Sequence, residues 1–371
     1  MTPTATPDAG PITIGLLYNL TGVLAPLDGP ALQGSQLAVQ QINDRGGING
    51  RPVEVVLEDA QSDVQLATDA ATRLAQNPDV DAVIGLTDPA QIEAAAQVLQ
   101  QAGVPMLEVG ATEPGLGAIG NFIFMVPMGD NTQAGRLAEF AATEQQLFRA
   151  ALLTDEDQPF TTAFSDYFVQ SYTQLGGEVA TQQTYSTGIP SLALQIEEIL
   201  ALDPPADVLV VSAIPDDVGV IVALMRESGL TMPILGSNSF DTPLLVEIAG
   251  LDAANGVFFT THFGIYSGNQ AVRKFSDAYR REYGVRPENV YAGLGYDAVN
   301  LLAESIERAG FSENDKVQAA LAETTEFVGV TGTATYANGS GVPLKSVALI
   351  EVIGGEFTPH DTIVPDSAPD P

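Results

Sequence analysis

The chain has 371 residues, 45% of them hydrophobic, and a formal net charge of −33 at pH 7. That length favours two lobes or domains, and no apolar run reaches the roughly 18 residues that a membrane-spanning helix needs. The charge opposes binding to nucleic acid or to anionic membranes; it is typical of a well-hydrated surface or of an electrostatic funnel for a cationic ligand. The lack of cysteine excludes disulfides and thiolate metal sites, and the only histidines, His262 and His360, disfavour a histidine zinc site.

Both ends of the chain are predicted to be unstructured. Residues 1–10, MTPTATPDAG, form a Thr/Pro-rich tether that lacks the basic start and apolar core of a signal peptide. If the protein is exported, we expect its signal to have been removed. Residues 359–371 are rich in Pro and Asp and are predicted to be a disordered tail.

Short apolar strands alternate with amphipathic helices in the first third of the chain, which is typical of parallel sheets with helices on both faces. The first strand is Ile12–Tyr18, and the loop Asn19–Gly29 precedes a helix from about Pro30 to Asp44. A second helix is predicted from Val64, Ala67, Ala71 and Leu74, and a third begins near Asp88. The buried face of the first helix is predicted from Ala31, Gly34, Ala38 and Ile42, and the other strands are Val53–Glu58, Asp81–Leu86 and Val104–Val109.

A second unit with the same alternation begins near Arg149. Its first strand, Ala150–Thr154, leads to a helix with an aromatic stripe of Phe160, Phe164, Phe168 and Tyr172. The stripe indicates core packing, except that Phe160 lies at the loop–helix junction and faces the crevice. The chain closes with helices near Gln270–Tyr283, Glu288–Ala309 and Glu313–Glu323 and a hairpin of Lys345–Ile353 and Glu356–Thr358. The predicted fold class is α/β with two doubly wound lobes.

Ligands of open parallel α/β sheets bind beyond the carboxyl ends of the strands. If the two lobes face each other, the loops at these ends line one cleft. Asn238, just past a strand, is either a ligand contact or a turn residue. The six loops are Asn19–Gly29, Thr87–Ala90, Gly110–Glu113, Asp155–Phe160, Ser212–Asp217 and Ser237–Asp241.

The segment Thr87–Gln91 has the pattern of a helix start, with Asp88 as the N-cap and Pro89 as the first helical residue. The segment is either only a stable helix start or also a source of free N–H groups that bind an anion. A helix start favours an anion by about 0.3–1 kcal/mol. Asp88 would repel a second carboxylate about 4 Å away by about 4 kcal/mol at an effective dielectric constant of about 20. If Asp88 points into the cleft, a ligand carboxylate is therefore expected at Gly110, Ala111 and Thr112, where small residues expose backbone N–H groups.

Motifs of catalysis are missing from the sequence, which has no GxSxG, P-loop or HExxH pattern. Gly115–Gly120 matches GxGxxG, but it precedes a strand, whereas a dinucleotide site needs a strand before it and a helix after it. We therefore predict no catalytic residue, no cofactor and no metal ion.

An ordered series of short motifs extends over about Pro11–Phe357. It comprises Thr21-Gly22, Gly34 through Asn43, Gly46-Gly47-Ile48-Asn49-Gly50, Glu58-Asp59, Val104-Pro105-Met106, Ala111-Thr112, Ser228-Gly229-Leu230 and Tyr296-Asp297-Ala298. This series resembles the leucine/isoleucine/valine-binding protein family of bacterial ABC importers. The resemblance implies the type I periplasmic-binding fold, in which two Rossmann-like lobes are joined by a three-strand hinge and close around a ligand. Lobe 1 would comprise residues 11–124 plus 261–330, and lobe 2 residues 125–260 plus 331–358.

The resemblance also implies a set of ligand-binding positions. Family members that bind amino acids hold the carboxylate at positions that fall here at Pro89–Ala90, which lacks the family's serine, and at Ala111–Thr112. Asn238 stands where the family has an acid for the ammonium group, a change that would weaken α-amino acid binding by about ten- to a hundredfold. Phe160 matches a family aromatic, whereas Leu27 and Ile214 stand at two tyrosine positions and make the pocket more apolar. The predicted ligand-binding residues are Leu27, Asp88, Pro89, Ala90, Gly110, Ala111, Thr112, Phe160, Ile214 and Asn238.

The function that these features favour is that of a non-catalytic, exported receptor, periplasmic or anchored at the cell surface as a lipoprotein. As a monomer it would bind a hydrophobic amino acid or an aromatic or aliphatic carboxylate in the interlobe cleft and deliver it to the permease of an ABC importer. A neutral amide or a cation is also a possible ligand, because Asp88, Glu113 and Asp241 are acidic neighbours of the site. The alternatives are a sensory or regulatory domain of the same fold that binds an amide or polyamine, and a hydrolase or dehydrogenase.

Overall fold

The computed structural model describes residues 10–189, 191–263, 269–310, 312–336, 340–366 and 368–370. Contacts divide the chain into a first unit, Met1–Gly129 with Ile265–Lys345, and a second unit, Asp130–Gly264 with Ser346–Pro371. The expected tether, apart from Gly10, lies outside the described residues. Across the ranges given, no helix combines the length and apolar content that crossing a bilayer requires.

The strands are numbered along the chain. They are β1 Ile12–Tyr18, β2 Val53–Asp59, β3 Val80–Gly85, β4 Met106–Glu108, β5 Ile123–Met125, β6 Arg149–Asp155, β7 Glu178–Tyr185, β8 Val208–Ser212, β9 Ile234–Gly236, β10 Val257–Thr261, β11 Phe327–Gly329, β12 Gly332–Thr335, β13 Leu344–Lys345, β14 Val347–Ile353 and β15 Glu356–Ile363.

The helices follow the same order. They are α1 Ala25–Asp44, α2 Val64–Gln76, α3 Pro89–Ala102, α4 Pro114–Gly117, α5 Asp130–Glu139, α6 Pro159–Gln174, α7 Ala193–Leu200, α8 Pro215–Glu227, α9 Leu244–Ala249, α10 Gln270–Tyr283, α11 Tyr291–Ala309 and α12 Asn314–Ala322. A π-helical turn, Phe140–Glu144, continues α5.

The first unit contains a five-stranded sheet of order β2-β1-β3-β4-β5, with every pair parallel. One face of the sheet packs against α1, α11 and α12, and the other against α2 and α3. A smaller antiparallel sheet, β11-β12-β13, completes the unit. Helices on both faces of a parallel sheet confirm the doubly wound prediction for this unit.

Helix α1 begins earlier than its sequence pattern predicted. Its buried face includes the expected Ala31, Gly34, Ala38 and Ile42, but it starts at Ala25 and carries Pro30 in its interior. Pro30 has no N–H to donate to the carbonyl four residues earlier, and that carbonyl, of Pro26, instead accepts from Asn289 Nδ2 at 3.4 Å. The predicted loop therefore ends at Leu24.

The second unit contains a seven-stranded sheet of order β15-β14-β10-β9-β8-β6-β7. Strands β6 to β10 pair in parallel, whereas β14 runs antiparallel to β10 and to β15. Phe164, Phe168 and Tyr172 of α6 are buried in the core, and Phe160 is half-buried. This confirms the core reading of the aromatic stripe.

Two segments depart from the lobe and tail boundaries expected from the sequence. Residues 331–345 belong to the first unit, where Tyr336 Oη donates to the Met125 carbonyl at 2.6 Å and Lys345 Nζ to the Val126 carbonyl at 2.6 Å. The prediction of a disordered tail from residue 359 is wrong for the described residues. Strand β15 continues to Ile363 along β14, and beyond it the Asp366 N–H donates to Glu139 Oε1 at 2.8 Å and the Pro369 carbonyl accepts from Asn131 Nδ2 at 2.8 Å. Buried hydrogen bonds and strand pairing, neither visible in local composition, fix both segments.

Candidate functional site

The first unit brings its predicted site residues to one edge of its sheet. Because β1, β3 and β4 are parallel neighbours, the segments that follow them lie side by side. Asp88 is the N-cap of α3, and its Oδ1 accepts the Gln91 N–H at 3.0 Å, as predicted. The residues at this edge are Leu27 in the first turn of α1, Asp88, Pro89 and Ala90 at the start of α3, and Gly110, Ala111 and Thr112 after β4.

Close backbone contacts hold these loops together. A Cβ on Gly110 would lie 2.4 Å from the Thr87 Cα, and a Cβ on Gly85 would lie 1.7 Å from the Leu17 carbonyl oxygen. Leu86, which is fully buried, has a φ of 61°, a left-handed conformation that is costly for a branched side chain. The turns after β3 and β4 are thus rigidly juxtaposed.

A buried hydrogen-bond network lies beneath this edge. Asp28 accepts the backbone N–H of Asn19 at 2.7 Å and its side-chain Nδ2 at 2.9 Å, and it also accepts from the Thr87 hydroxyl. Asn19 Nδ2 also donates to Gln91 Oε1 at 2.7 Å, and Asn19 Oδ1 accepts the Ser62 N–H at 2.6 Å. The network links the segments after β1, β2 and β3, so it fixes the edge as one preorganised surface.

The expected carboxylate-binding turn is already filled by the protein's own side chains. Glu108 is fully buried at the end of β4, and its Oε2 accepts the N–H groups of Gly110 at 2.9 Å and Ala111 at 3.0 Å. The Thr112 N–H donates to Glu113 Oε2 at 3.2 Å. The prediction that these N–H groups are free for a ligand carboxylate is wrong, because the acids on either side of the turn satisfy them.

Burial sets the ionisation of the acids at this edge. It raises the pKa of Asp28 despite the hydrogen bonds from Thr87 and Asn19, which act in the opposite direction. Burial also raises the pKa of Glu108 to about 8, with a smaller contribution from nearby Glu113. The pKa of Glu113 is raised as well, by burial and then by the negative charge of Asp88. Burial therefore favours the protonated forms of these three acids more than water does.

The second unit places its three predicted residues at the ends of successive parallel strands. Phe160 follows β6 in the first turn of α6, Ile214 follows β8 as the N-cap residue of α8, and Asn238 follows β9 in a 3₁₀ turn. All three are half-buried. Since β6, β8 and β9 are consecutive in the sheet, these side chains share one edge.

Two polar residues support that edge. Thr161 Oγ1 donates to the Asp155 carbonyl at 2.5 Å, and the Thr161 carbonyl accepts from Ser212 Oγ at 2.8 Å, which joins the segments after β6 and β8. Gln133 Oε1 accepts the Asn238 N–H at 3.0 Å and the Thr260 hydroxyl at 2.9 Å. Gln133, which is fully buried, therefore positions the backbone at Asn238.

Other clusters lie away from the predicted residues. A groove of about 890 Å³ in the first unit is lined by α1, α10 and α11 and includes none of the predicted site residues.

In the second unit Glu144, His360 and Asp361 lie close enough to share a metal ion. However, the Arg136 guanidinium donates to the carboxylates of Glu144 at 2.7 Å and Asp361 at 2.6 Å, and its charge opposes cation binding. We assign this cluster as an ion-pair network.

Sequence reasoning missed the residues that support the site. Glu108 had a recognisable signal, since it is the charged residue within the apolar segment Val104–Val109, and a buried charge requires partners. Asp28 lay within a segment interpreted as a loop. Asn19 and Gln133 gave no signal, because their roles depend on contacts distant in the sequence.

A family model described as "Periplasmic binding protein" matches residues 11–356. The chain belongs to the periplasmic binding protein family. A curated member of similar length, Leu/Ile/Val-binding protein homolog 1 of Brucella suis, is 26% identical over 333 residues, which are 88% of this chain and 86% of that protein.

Solved periplasmic binding proteins share the fold. The branched-chain amino acid transporter substrate-binding protein LivJ of Streptococcus pneumoniae, in complex with isoleucine, is 27% identical with a TM-score of 0.75, covering 97% of this chain and 100% of that chain. A putative branched-chain amino acid ABC transporter protein of Rhodospirillum rubrum is 23% identical with a TM-score of 0.86, covering 94% and 99%. The expected type I periplasmic-binding fold, α/β with parallel sheets in two lobes, is confirmed.

Proposed function

We propose that this chain is the substrate-binding component of an ABC importer. It binds one small solute with an apolar body, of the class of hydrophobic amino acids and related organic carboxylates, and delivers it to a permease. The observation that carries this proposal is the family match over residues 11–356, together with relatives named for binding branched-chain amino acids. The protein acts without catalysis, as a receptor exported from the cytoplasm, either periplasmic or lipid-anchored.

The proposed ligand contacts lie at the carboxyl edges of the two parallel sheets, where open α/β sheets bind ligands. Apolar contacts come from Leu27 and Ala111 of the first unit and from Phe160 and Ile214 of the second. Polar contacts come from side chains and not from the filled N–H groups of the turn after β4. The polar set is Asp88, Thr112 and Asn238, while Pro89, Ala90 and Gly110 shape the wall.

A thermal-shift screen followed by calorimetry tests the proposal. The panel comprises hydrophobic amino acids, aromatic and aliphatic acids, amides and polyamines. We expect a compound with an apolar body to raise the melting temperature, and mass spectrometry to recover it unchanged after incubation. Absence of any binder in the panel would contradict the proposal, and turnover of the compound would favour a hydrolase.

A pair of variants tests whether the edge of the second unit binds this compound. Phe160→Ala removes a half-buried aromatic at the edge, whereas Phe148→Ala removes one that is 46% exposed and lies just before β6. Loss of one apolar side-chain contact is worth about 1.5–3 kcal/mol, so Phe160→Ala should weaken binding by about ten- to a hundredfold. Equal affinities of the two variants would count against the proposed contacts.

A further inference from the structure

The turn after β4 would be an anion-binding turn if Glu108 were absent. The N–H groups of Gly110 and Ala111 point at a single acceptor, Glu108 Oε2, at 2.9 and 3.0 Å. Consecutive backbone N–H groups that converge in this way form a concave site for one anionic oxygen. Here the chain supplies that oxygen itself.

Glu108 is held at this turn from its own strand. It is the last residue of β4, pairs with Gly85 of β3 and is 0% exposed. Its second oxygen, Oε1, is buried and accepts no hydrogen bond within the described part of the chain. The side chain is therefore committed to the two N–H groups and is not shared with another donor there.

Two further backbone donors at this edge are also occupied. The Thr112 N–H donates to Glu113, and the Gln91 N–H, in the first turn of α3, donates to the Asp88 cap at 3.0 Å. Beside the occupied donors the edge offers acceptors, since the Asp88 and Glu113 carboxyl groups each have a second oxygen. A ligand carboxylate finds the Gly110 and Ala111 N–H groups already occupied, whereas an ammonium or amide N–H finds acceptor oxygens.

We propose that Glu108 is a specificity-determining residue. It occupies the two N–H groups of the Gly110–Ala111 turn, so the site favours ligands that present an N–H group, and not a carboxylate, to this edge. The inference rests on the proposed function and narrows its ligand class to apolar amines, amides and amino acids held through nitrogen. The filling of the turn does not depend on the protonation state of Glu108, because the oxygen of a carboxylate and the carbonyl oxygen of a carboxylic acid both accept from N–H groups.

Two substitutions separate filling of the turn from negative charge. Glu108→Gln keeps an oxygen that can accept from both N–H groups but removes the ionisable group. Glu108→Ala removes the oxygen and frees both N–H groups. Glu54→Gln, on the exposed part of β2, is the matched control. Calorimetry with two matched pairs of probes, leucine against leucinamide and benzoate against benzamide, gives the ratio of acid to amide affinity for each variant.

We expect the native protein and the Glu54→Gln variant to bind the amides at least about tenfold more tightly than the acids, the difference that one charge-assisted hydrogen bond makes. Glu108→Ala should shift the ratio about tenfold or more toward the acids, and Glu108→Gln should not. Because the ratio compares two ligands of one variant, a loss of stability in Glu108→Ala does not affect it.

Two results would overturn the inference. The first is that the native protein binds the acids as tightly as the amides. The second is that the ratio of acid to amide affinity shifts equally in Glu108→Ala and Glu108→Gln, or shifts in neither. A binder in the wider screen without the Glu108 effect would leave the proposed function standing and remove only this inference. No binder for any variant would remove both.

Discussion

Glu108 connects the chemistry of the candidate site to the stability of the first unit. Its carboxyl group is fully buried. The two hydrogen bonds that it accepts from backbone N–H groups only partly offset the loss of hydration. The charged groups that act on it are Glu113, which raises its pKa, and Lys345, which lowers it. The net result is a pKa raised to about 8, so the protonated form is favoured in the folded protein.

The pH dependence of stability should reveal this ionisation. The pKa of Glu108 rises from 4.5 to about 8 on folding, so its contribution to stability is complete below about pH 4.5 and is lost as the pH rises through 8. Glutamine does not titrate. The Glu108→Gln variant should therefore become more stable relative to the native protein as the pH rises from 5 to 8.5. The difference between their melting temperatures should increase by an amount that corresponds to about 1–4 kcal/mol in the free energy of unfolding.

The comparison needs a control in which an exposed acid is neutralised. Glu54→Gln should give a difference from the native protein that stays nearly constant over the same pH range. Differential scanning calorimetry at matched ionic strength measures all three proteins. A constant difference for Glu108→Gln would show that Glu108 is ionised normally in the folded state.

Single residues also show where sequence reasoning about the site stops. The strand-end rule placed Asp88, Thr112, Phe160 and Asn238 just after strands of parallel sheets, where the structure has them, because the rule needs only the alternation of strands and helices. It could not show that Glu108 curls back onto its own turn, because that depends on the side-chain conformation. The apolar pattern of β4 predicted a buried strand, but it did not predict which way the Glu108 side chain points.

At the scale of elements, the contact between α1 and α11 depends on glycine. A Cβ on Gly34 would lie 1.9 Å from the Ala292 carbonyl oxygen, and one on Gly295 would lie 2.1 Å from the Ala31 carbonyl oxygen. The two backbones therefore approach more closely than any side chain permits. Ser35 adds a hydrogen bond to the Gly295 carbonyl at 3.0 Å, which fixes the register of the two helices.

Substitution of Gly34 by alanine should therefore destabilise the first unit even though alanine favours helix. Overpacking of a tight contact costs about 1–3 kcal/mol or more, which exceeds the gain of up to about 1 kcal/mol from helix propensity. Gln40→Ala, on the exposed face of the same helix, should change stability by no more than about 0.5 kcal/mol. Urea midpoints of the two variants test this, and equal midpoints would refute the close approach.

The elements that sequence patterns predicted well are those with a clear local signal in the sequence, such as an apolar run, a helical period or a cap. Strand β1 and helix α10 match their predicted bounds, and Asp88 caps α3 as expected. The start of α1 was missed because Pro30 usually marks a first turn, whereas here the Pro26 carbonyl is satisfied by Asn289, 263 residues away. The end of β15 was missed because Pro and Asp disfavour strands, yet pairing with β14 outweighs that local preference.

At the scale of the whole molecule, charge is the dominant feature. The chain carries 47 Asp and Glu but only 14 Lys and Arg, so at most 14 acids can be neutralised by a basic side chain. Part of the basic charge is also committed to buried contacts: Arg136 bridges Glu144 and Asp361, and Lys345 binds backbone and hydroxyl oxygens. The remaining surface acids repel one another, and this repulsion is stronger in a folded chain than in an expanded one.

Added salt should therefore stabilise the protein near neutral pH. The Debye length falls from about 30 Å at 0.01 M to about 3 Å at 1 M, which screens repulsion between surface carboxylates. If screening removes about 2 kcal/mol, the melting temperature should rise by roughly 2–4 °C in a chain of this size. A sodium chloride titration followed by calorimetry at pH 7 measures the rise. The same titration near pH 4.5, where many carboxyls are protonated, is the control and should give a smaller rise. A flat or falling melting temperature at pH 7 would mean that the surface acids are spaced widely enough for their repulsion to cost the folded state little.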